Sequence, residues 1–119
     1  MPHLTARELH SLLPLPRESF QILVSLAEGD RHGYAILQEV TERTSGRQKL
    51  SPSTLYTTIG RLLDQGLIEE SAGPATQNDE RRRYYRLTGA GREVARAEAH
   101  RLEQLLYAAR AAGLLPVKR

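Results

Sequence analysis

The chain lacks cysteine and tryptophan altogether and has one phenylalanine among its 119 residues. The absence of cysteine excludes disulfide frameworks, thiolate metal ligands and thiol nucleophiles together. Such a chain suits a reducing compartment, and we expect a cytoplasmic protein. No apolar run approaches the roughly 20 residues of a membrane-spanning helix, and the N-terminus lacks the cationic and apolar segments of a secretory signal. We therefore expect no membrane partner.

Catalytic and metal-binding patterns are also missing. The four histidines are scattered, without an i, i+4 pair and without carboxylates at metal-ligand spacing. There is no G-x-S-x-G elbow and no phosphate-cradling glycine loop. These absences predict a protein that is not an enzyme and has no metal or cofactor. His32, which stands before Gly33, is predicted to cap or pack against a helix.

What remains is ordinary for one globular domain, with 39% hydrophobic and 26% charged residues. The net charge of +3 permits an acidic partner without demanding one.

The most informative stretch is residues 50–66, LSPSTLYTTIGRLLDQG, which predicts a helix with both ends marked. Ser51 suits the N-cap, Pro52 the first helical position, and Gly66 the left-handed residue that ends a helix. Apolar residues recur at i, i+4, i+7 and i+8, which is one buried stripe. These residues are Leu55, Ile59, Leu62 and Leu63.

The opposite face of this helix is small, hydroxyl-rich and free of acid until Asp64. Hydroxyls and arginine suit phosphates and base edges. A helix face that only meets water explains the same pattern. The face consists of Ser53, Thr54, Tyr56, Thr57, Gly60 and Arg61.

Three further helices are predicted before this segment. The first is capped by Thr5 with Glu8 and is stopped by the LPLP segment; the next runs from Arg17 to Gly29, and a third from about Gly33 to Arg43. Their spacing predicts one apolar side each. The predicted apolar residues are Leu9, Leu12 and Leu13; Phe20, Leu23, Val24 and Ala27; and Ile36, Leu37 and Val40.

After Gly66 the pattern changes to two strands around a polar loop, residues 71–79. Taking Leu87 as inward-facing places Tyr85 inward, with Tyr84 and Arg86 outward. The hairpin is strongly cationic, which suits phosphate neutralisation, although a solvated charge run has the same composition. The cations are Arg81, Arg82, Arg83 and Arg86.

A last helix is predicted from Thr88 to about Ala112, with an amphipathic stripe too long for the small body to cover. Packing within the chain accounts for part of this stripe. For the rest we expect a twofold dimer built from the N- and C-terminal helices. The predicted dimer residues are Leu9, Leu12, Leu102, Leu105, Leu106 and Ala109.

The expected fold is mainly α with a small β-hairpin: a winged helix-turn-helix plus a long C-terminal dimerisation helix. We expect an N-terminal helical extension at 1–15, a DNA-binding domain at 16–87, and the dimerisation helix with its tail at 88–119.

Several short motifs resemble those of PadR-type transcriptional regulators, in the right order over about residues 17–93. They are LAEG at 26–29, HGY at 32–34, SPSTLY at 51–56, GLI at 66–68, RRYYRLT at 82–88 and Gly91. The resemblance implies a dimeric repressor that binds a palindromic operator in double-stranded DNA. Some family members release DNA on binding phenolic acids or hydrophobic drugs, so a small hydrophobic or phenolic effector is also implied.

The same resemblance implies that the hydroxyl side chains of the helix within residues 50–66 face the DNA groove or its phosphates. It also implies that arginines of the hairpin, which is the wing of this fold, contact the DNA backbone. The chain departs from the family pattern at Ser53, where glycine is common, and at Gly60, where a larger residue is common. An interaction module that binds another protein and no DNA is the alternative. The predicted DNA-binding residues are Tyr34, Lys49, Ser51, Ser53, Thr54, Tyr56, Thr57, Arg61, Arg81, Arg82 and Arg83.

Overall fold

The computed structural model describes residues 4–47, 50–73 and 82–116. Within them the chain forms five helices and a small antiparallel sheet, which confirms the mainly helical fold with a long last helix. Two predicted DNA contacts, Lys49 and Arg81, lie outside the described residues, as does most of the wing loop. The elements are α1 (Ala6–Leu12), α2 (Arg17–Ala27), β1 (Arg31–His32), α3 (Gly33–Arg43), α4 (Pro52–Asp64), β2 (Ile68–Ser71), β3 (Tyr84–Leu87) and α5 (Gly89–Ala111).

Four helices begin at a side chain that accepts a hydrogen bond from the backbone N–H three residues later. These caps are Thr5, His32, Ser51 and Thr88. The three hydroxyl caps confirm the predicted helix starts, and His32 has the capping role expected of it, through Nδ1. Because each cap satisfies a backbone donor locally, these boundaries depend on neighbouring residues only.

The core forms where α2 contacts α3, α4, α5 and the sheet. Leu55, Ile59 and Leu62 are buried as predicted for α4, whereas Leu63 of the same predicted stripe is half-buried. The predicted buried face of α2 was wrong, because only Leu23 of that set is buried. Phe20 and Val24 are half-buried and Ala27 is exposed. The residues that α2 buries instead are Ser19, Ile22, Ser25 and Leu26.

The reason is that α2 carries two apolar stripes with helical spacing. The surrounding helices close over the stripe of Ile22 and Leu26, whereas Phe20, Val24 and Ala27 line an open groove beside α5. Periodicity alone cannot choose between two such stripes.

The sheet has three strands in the order β1-β3-β2, one more than the predicted hairpin. The prediction that Tyr84 faces outward was wrong, since Tyr84 and Tyr85 are each only 5% exposed. His32 on β1 packs edge-on against the Tyr84 ring at a centroid distance of 5.3 Å, and Gly73 lies against the same ring. A two-residue strand leaves no periodic signal, so the cover over Tyr84 could not be predicted.

The N-terminal segment is tied to α5 by two carboxylates. The Leu4 N–H donates to Glu93 at 3.2 Å, and the Leu15 N–H donates to Glu98 at 3.3 Å. Glu98 is only 2% exposed and also accepts two hydrogen bonds from Arg101, at 2.9 and 2.7 Å. These contacts hold the segment against the body of the protein.

Glu98 predicts an acid-sensitive contribution to stability. The hydrogen bonds from the Arg101 guanidinium lower the pKa of Glu98 below its ordinary value. Burial acts to raise this pKa, but its effect is smaller, and the Leu15 N–H lowers the pKa further. A carboxylate with a lowered folded pKa stabilises the protein above its unfolded pKa, and this stabilisation is lost as pH falls through the folded value. We expect Glu98→Gln to reduce the free energy of unfolding by about 2 kcal/mol at pH 7 and to flatten its dependence on pH in the acid range.

Denaturant unfolding at a series of pH values checks this expectation. Glu103→Gln, on an exposed residue of the same helix, is the control and should leave both the stability and its pH profile unchanged. Equal acid sensitivity in wild type and Glu98→Gln would contradict the assignment.

Candidate nucleic-acid interface

The exposed face of α4 forms the centre of the site. Ser53 and Thr57 are exposed, Gly60 on the same face is half-buried, and a side chain at Gly60 would meet nothing in the chain within 4 Å. Tyr56 and Arg61 lie on the two flanks of this strip, about 140° apart at 100° per residue. The helix therefore presents a smooth, hydroxyl-bearing ridge with a different concavity on each side.

The first concavity joins α4 to the wing and has a volume of about 310 Å³. It brings together three segments that are distant in sequence: the start of α3, the middle of α4, and the beginning of β3. We call it the wing concavity. Its lining residues are His32, Gly33, Tyr34, Tyr56, Arg82, Arg83 and Tyr85. The predicted contacts Tyr34, Tyr56, Arg82 and Arg83 thus share one surface.

The wing arginines differ in their surroundings. Arg86 binds Glu69 across the hairpin at 2.7 Å, and this carboxylate raises the pKa of Arg86. Arg83 is 74% exposed and lies 3.8 Å from Glu70, a longer contact. Arg82 is exposed, with its Nη1 2.6 Å from His32 Nε2. Arg82 and Arg83 therefore present cationic groups at the mouth of the wing concavity, whereas the Arg86 charge is neutralised within the sheet.

The second concavity lies on the other flank of α4, where the first turn of α2 approaches it, and measures about 250 Å³. We call it the α2–α4 concavity. It gathers the predicted contacts Ser53, Thr54, Thr57 and Arg61 with residues that sequence reasoning missed. The missed residues are Pro16, Glu18, Ser19 and Thr58. Nothing in the sequence marks them, because the pairing of α2 with α4 is a tertiary contact.

Ser51 has a structural role that its place among the predicted contacts did not include. Its Oγ accepts from the Thr54 N–H at 3.0 Å and contacts Thr54 Oγ1 at 3.0 Å.

The predicted dimer residues lie elsewhere. Leu9, Leu12, Leu102 and Ala109 are half-buried, whereas Leu105 and Leu106 are 56% and 44% exposed.

Over the described ranges, no helix combines the length and apolar character needed to cross a membrane. In the same part of the chain, no three histidine, aspartate or glutamate side chains cluster in a way that could hold a metal ion.

Three helices and an antiparallel sheet, with the last of the three helices exposed beside an arginine-bearing wing, define a winged helix-turn-helix, a class of DNA-binding proteins. The chain belongs to the PadR-like family of transcriptional regulators, whose family model matches residues 22–97. The family is one of transcription regulators and not of enzymes.

Two relatives match part of the chain. The chain is 37% identical over 71 residues to an uncharacterized protein X of Lysinibacillus sphaericus, covering 60% of this chain and 64% of the relative. It is also 37% identical over 84 residues to an uncharacterized 37.1 kDa protein in transposon TN4556 of Streptomyces fradiae, covering 71% of this chain but only 22% of that relative. The chain thus spans less than two thirds of either relative.

A similar fold occurs in a PadR family transcription regulator from hypervirulent Clostridium difficile R20291. The TM-score is 0.70 at 23% identity, with 81% of this chain and 97% of that chain covered.

Proposed function

We propose that this protein binds double-stranded DNA sequence-specifically, as a dimeric repressor at a palindromic operator. In this proposal α4 enters the major groove, with Ser53 and Thr57 toward the bases, and Arg82 and Arg83 bind the backbone from the wing. The observation that carries the proposal is that Tyr56 of α4 and both arginines line one concavity. One flank of α4 and the two wing arginines therefore share a surface, which supports a single DNA-binding face.

The alternative, an interaction module that binds another protein, fits this surface less well. Helix faces that bind proteins are commonly apolar or charged to match a partner, whereas the outward strip of α4 consists of hydroxyls and a bare glycine. A surface of small polar groups beside arginines matches a polyanion with base edges.

Salt dependence separates the two functions. We expect the protein to bind any duplex weakly, with an affinity that falls linearly on a log–log plot as salt rises, because arginine–phosphate contacts release counterions. Fluorescence anisotropy with a labelled duplex at several salt concentrations measures this slope. A flat response, or the absence of binding at low salt, would favour the interaction module.

Thr57→Ala tests whether α4 reads bases. Thr57 is exposed on the outward strip of α4, so this variant should fold normally. We expect selection from a random duplex pool to yield an altered sequence preference, with about 1–3 kcal/mol lost at the contacted base pair. If wild type and Thr57→Ala select the same sequences, α4 does not read bases through this residue.

Dimerisation is proposed from the distal half of α5. The helix has 23 residues and is about 35 Å long, and its far end exposes large apolar side chains. These are Leu105, Leu106 and Tyr107, and the exposed Leu114 and Leu115 follow just after the helix. A twofold partner would bury this surface and place two α4 helices on half-sites about 34 Å apart.

Replacing Leu105 and Leu106 by glutamate tests the dimer. Both residues are exposed within the chain, so the variant should keep its fold but sediment as a monomer where wild type sediments as a dimer. Gln104→Glu, also exposed on α5, is the control for added charge and should remain dimeric. Analytical ultracentrifugation over a concentration series makes the comparison. A monomeric wild type, or a double variant that dimerises as well as wild type, would refute this interface.

A small hydrophobic or phenolic effector is also part of the proposal. The groove between α2 and α5, about 200 Å³, suits one because its floor is apolar and two arginines stand at its edge. It adjoins both the DNA-binding body and the proposed dimer helix. Its lining residues are Phe20, Val24, Ala27, Leu87, Arg92, Ala95, Arg96 and Ala99.

A further inference from the structure

We propose that His32 makes DNA binding depend on pH: its imidazole takes up a proton as a phosphate enters the wing concavity, so that affinity for duplex rises as pH falls through neutrality. The inference rests on the proposed DNA-binding function and assigns a regulatory group to the same site. It is carried by the orientation of the imidazole ring, by two hydrogen-bond donors that compete for it, and by the charges around it.

The ring of His32 is held at the junction of β1 and α3, half-buried, where it lines the wing concavity. Nδ1 accepts from the Ala35 N–H at 3.1 Å, and the ring stands at 82° to that of Tyr84. Nε2 lies 2.6 Å from Nη1 of Arg82, which lines the same concavity. Because Nδ1 is directed at the backbone of α3, Nε2 is the nitrogen that a ligand between His32 and Arg82 would meet.

Two donors compete for one lone pair on this ring. A neutral imidazole has one N–H and one acceptor nitrogen, whereas the Ala35 N–H and the Arg82 guanidinium each donate toward a different nitrogen. Arg82 is an exposed, flexible side chain, but the Ala35 N–H is fixed in the first turn of α3. We therefore expect Nδ1 to keep the lone pair and Nε2 to carry the hydrogen, which then faces the Arg82 donor.

A phosphate oxygen removes this conflict. Placed between His32 and Arg82, it would accept from the Nε2–H and from the guanidinium together, and both bonds would be charge-assisted. The Ala35 cap is retained, since it uses the other nitrogen. His32 is therefore a donor to phosphate in its neutral form and a cation beside phosphate in its protonated form.

The charges around His32 leave it as the group that responds to pH near neutrality. The neighbouring cations are the wing arginines and Arg31 on its own strand, and arginine keeps its charge at every such pH. Carboxylates and phenols titrate well outside this range, whereas histidine titrates within it. Among the described residues, no carboxylate lines the wing concavity.

The nearby carboxylates each lie beside an arginine. Glu28 and Glu39 bind Arg31 at 3.2 and 2.9 Å, and Glu70 of β2 lies 3.8 Å from Arg83. Asp30 acts on Arg86, which binds Glu69. The titratable and charged groups on the elements around His32 are Glu28, Asp30, Arg31, Tyr34, Glu39, Tyr56, Glu69, Glu70, Arg82, Arg83, Tyr84, Tyr85 and Arg86.

The direction of the pH effect follows from the two states of the protein. Without DNA, the adjacent Arg82 guanidinium disfavours a charged imidazole, and with DNA a phosphate favours it. Protonation also weakens the bond from the Ala35 N–H, but it does so equally in both states, so this cost cancels from the difference. The complex therefore holds more protons than the free protein, and lowering the pH strengthens binding.

Anisotropy titrations with a labelled duplex at constant ionic strength test this linkage. For each His32 that contacts DNA, we expect wild type to bind about fivefold more tightly near pH 6 than near pH 8. The salt dependence should also be steeper near pH 6, by up to about 0.9 in the log–log slope for each half-site, because an added cation releases a counterion.

His32→Asn is the variant that separates titration from capping. Asparagine is a good N-cap and can accept the Ala35 N–H, but it does not titrate. We expect its affinity to change less than about twofold over the same pH range, with a salt slope that does not depend on pH. Melting temperatures of wild type and variant at each pH show whether the fold is retained.

His100→Asn is the matched control, because His100 is an exposed histidine on α5. This variant removes one titrating imidazole and should keep the pH dependence of wild type. NMR of the imidazole nitrogens in wild type gives a second measurement that depends on no variant. Near pH 7 we expect a neutral ring with its hydrogen on Nε2 in the free protein, and a larger protonated fraction after duplex is added.

Three results would overturn the inference. They are a wild-type affinity that does not change with pH, a His32→Asn variant with the wild-type pH dependence, and an imidazole equally protonated with and without duplex. Each of them leaves the proposed DNA binding intact. If wild type fails to bind any duplex at either pH, the proposed function is what fails.

Discussion

Replacing Arg82 and Arg83 together by alanine is expected to weaken binding to every duplex by about 100-fold at low salt. Both side chains are exposed at the mouth of the wing concavity, and a dimer loses four cations. Phosphate contacts carry no sequence information, so specific and random duplexes should lose affinity by similar factors. The salt slope should fall by about 0.9 for each contact removed.

Arg86→Ala is the matched control for this prediction. Arg86 lies on β3, just after Arg82 and Arg83 in the chain, but is bound to Glu69 at 2.7 Å, so its removal should change affinity less than about threefold. Anisotropy titrations of the three proteins with one specific and one random duplex make the comparison. An Arg86→Ala variant as defective as the double variant, or a double variant with the wild-type slope, would show that the wing arginines do not neutralise phosphates.

Gly91→Ala is expected to destabilise the fold by about 3 kcal/mol or more. Gly91 is buried in the first turn of α5, where a Cβ would overlap the backbone carbonyl oxygen of Leu67. That carbonyl also accepts the Thr88 N–H at 3.1 Å, and the Gly91 N–H donates to the Thr88 cap at 3.0 Å. Neither backbone segment can withdraw without breaking these bonds, so the clash is not easily relieved. Denaturant unfolding measures the loss.

Gly60→Ala is the control and should have the opposite sign. Gly60 lies in the interior of α4, and a Cβ there would meet nothing in the chain within 4 Å. Alanine is favoured over glycine in a helix interior by about 1 kcal/mol, so this variant should be more stable than wild type. If Gly91→Ala is as stable as Gly60→Ala, the packing of α5 against Leu67 is looser than the structure indicates.

Sequence reasoning was most successful where structure depends on neighbours in the chain. The Ser51 cap of α4 and the Thr88 cap of α5 are contacts between residues three apart, and both were predicted. The single apolar stripe of α4 was also sufficient to identify its buried face. The motifs that indicated the family are likewise short and contiguous.

Sequence reasoning failed where two solutions had the same local pattern. On α2, the Phe20 and Val24 stripe and the Ile22 and Leu26 stripe both have helical spacing, and packing against the other helices selected the second. On β3, alternation predicted that Tyr84 faces solvent, but β1 and Gly73 cover it. Neither cover is encoded near Tyr84 in the chain.

The sequence by itself determined the helix boundaries, the outward residues of α4 and the presence of a cationic wing, because hydrogen bonds and periodicity over a few residues specify them. Only the tertiary structure decided which residues become neighbours. It brought Tyr56 and the wing arginines to one concavity, and Ser19 of α2 and Arg61 of α4 to another. These pairs are joined by the packing of a shared core, and such packing depends on the simultaneous fit of all the elements rather than on any one segment.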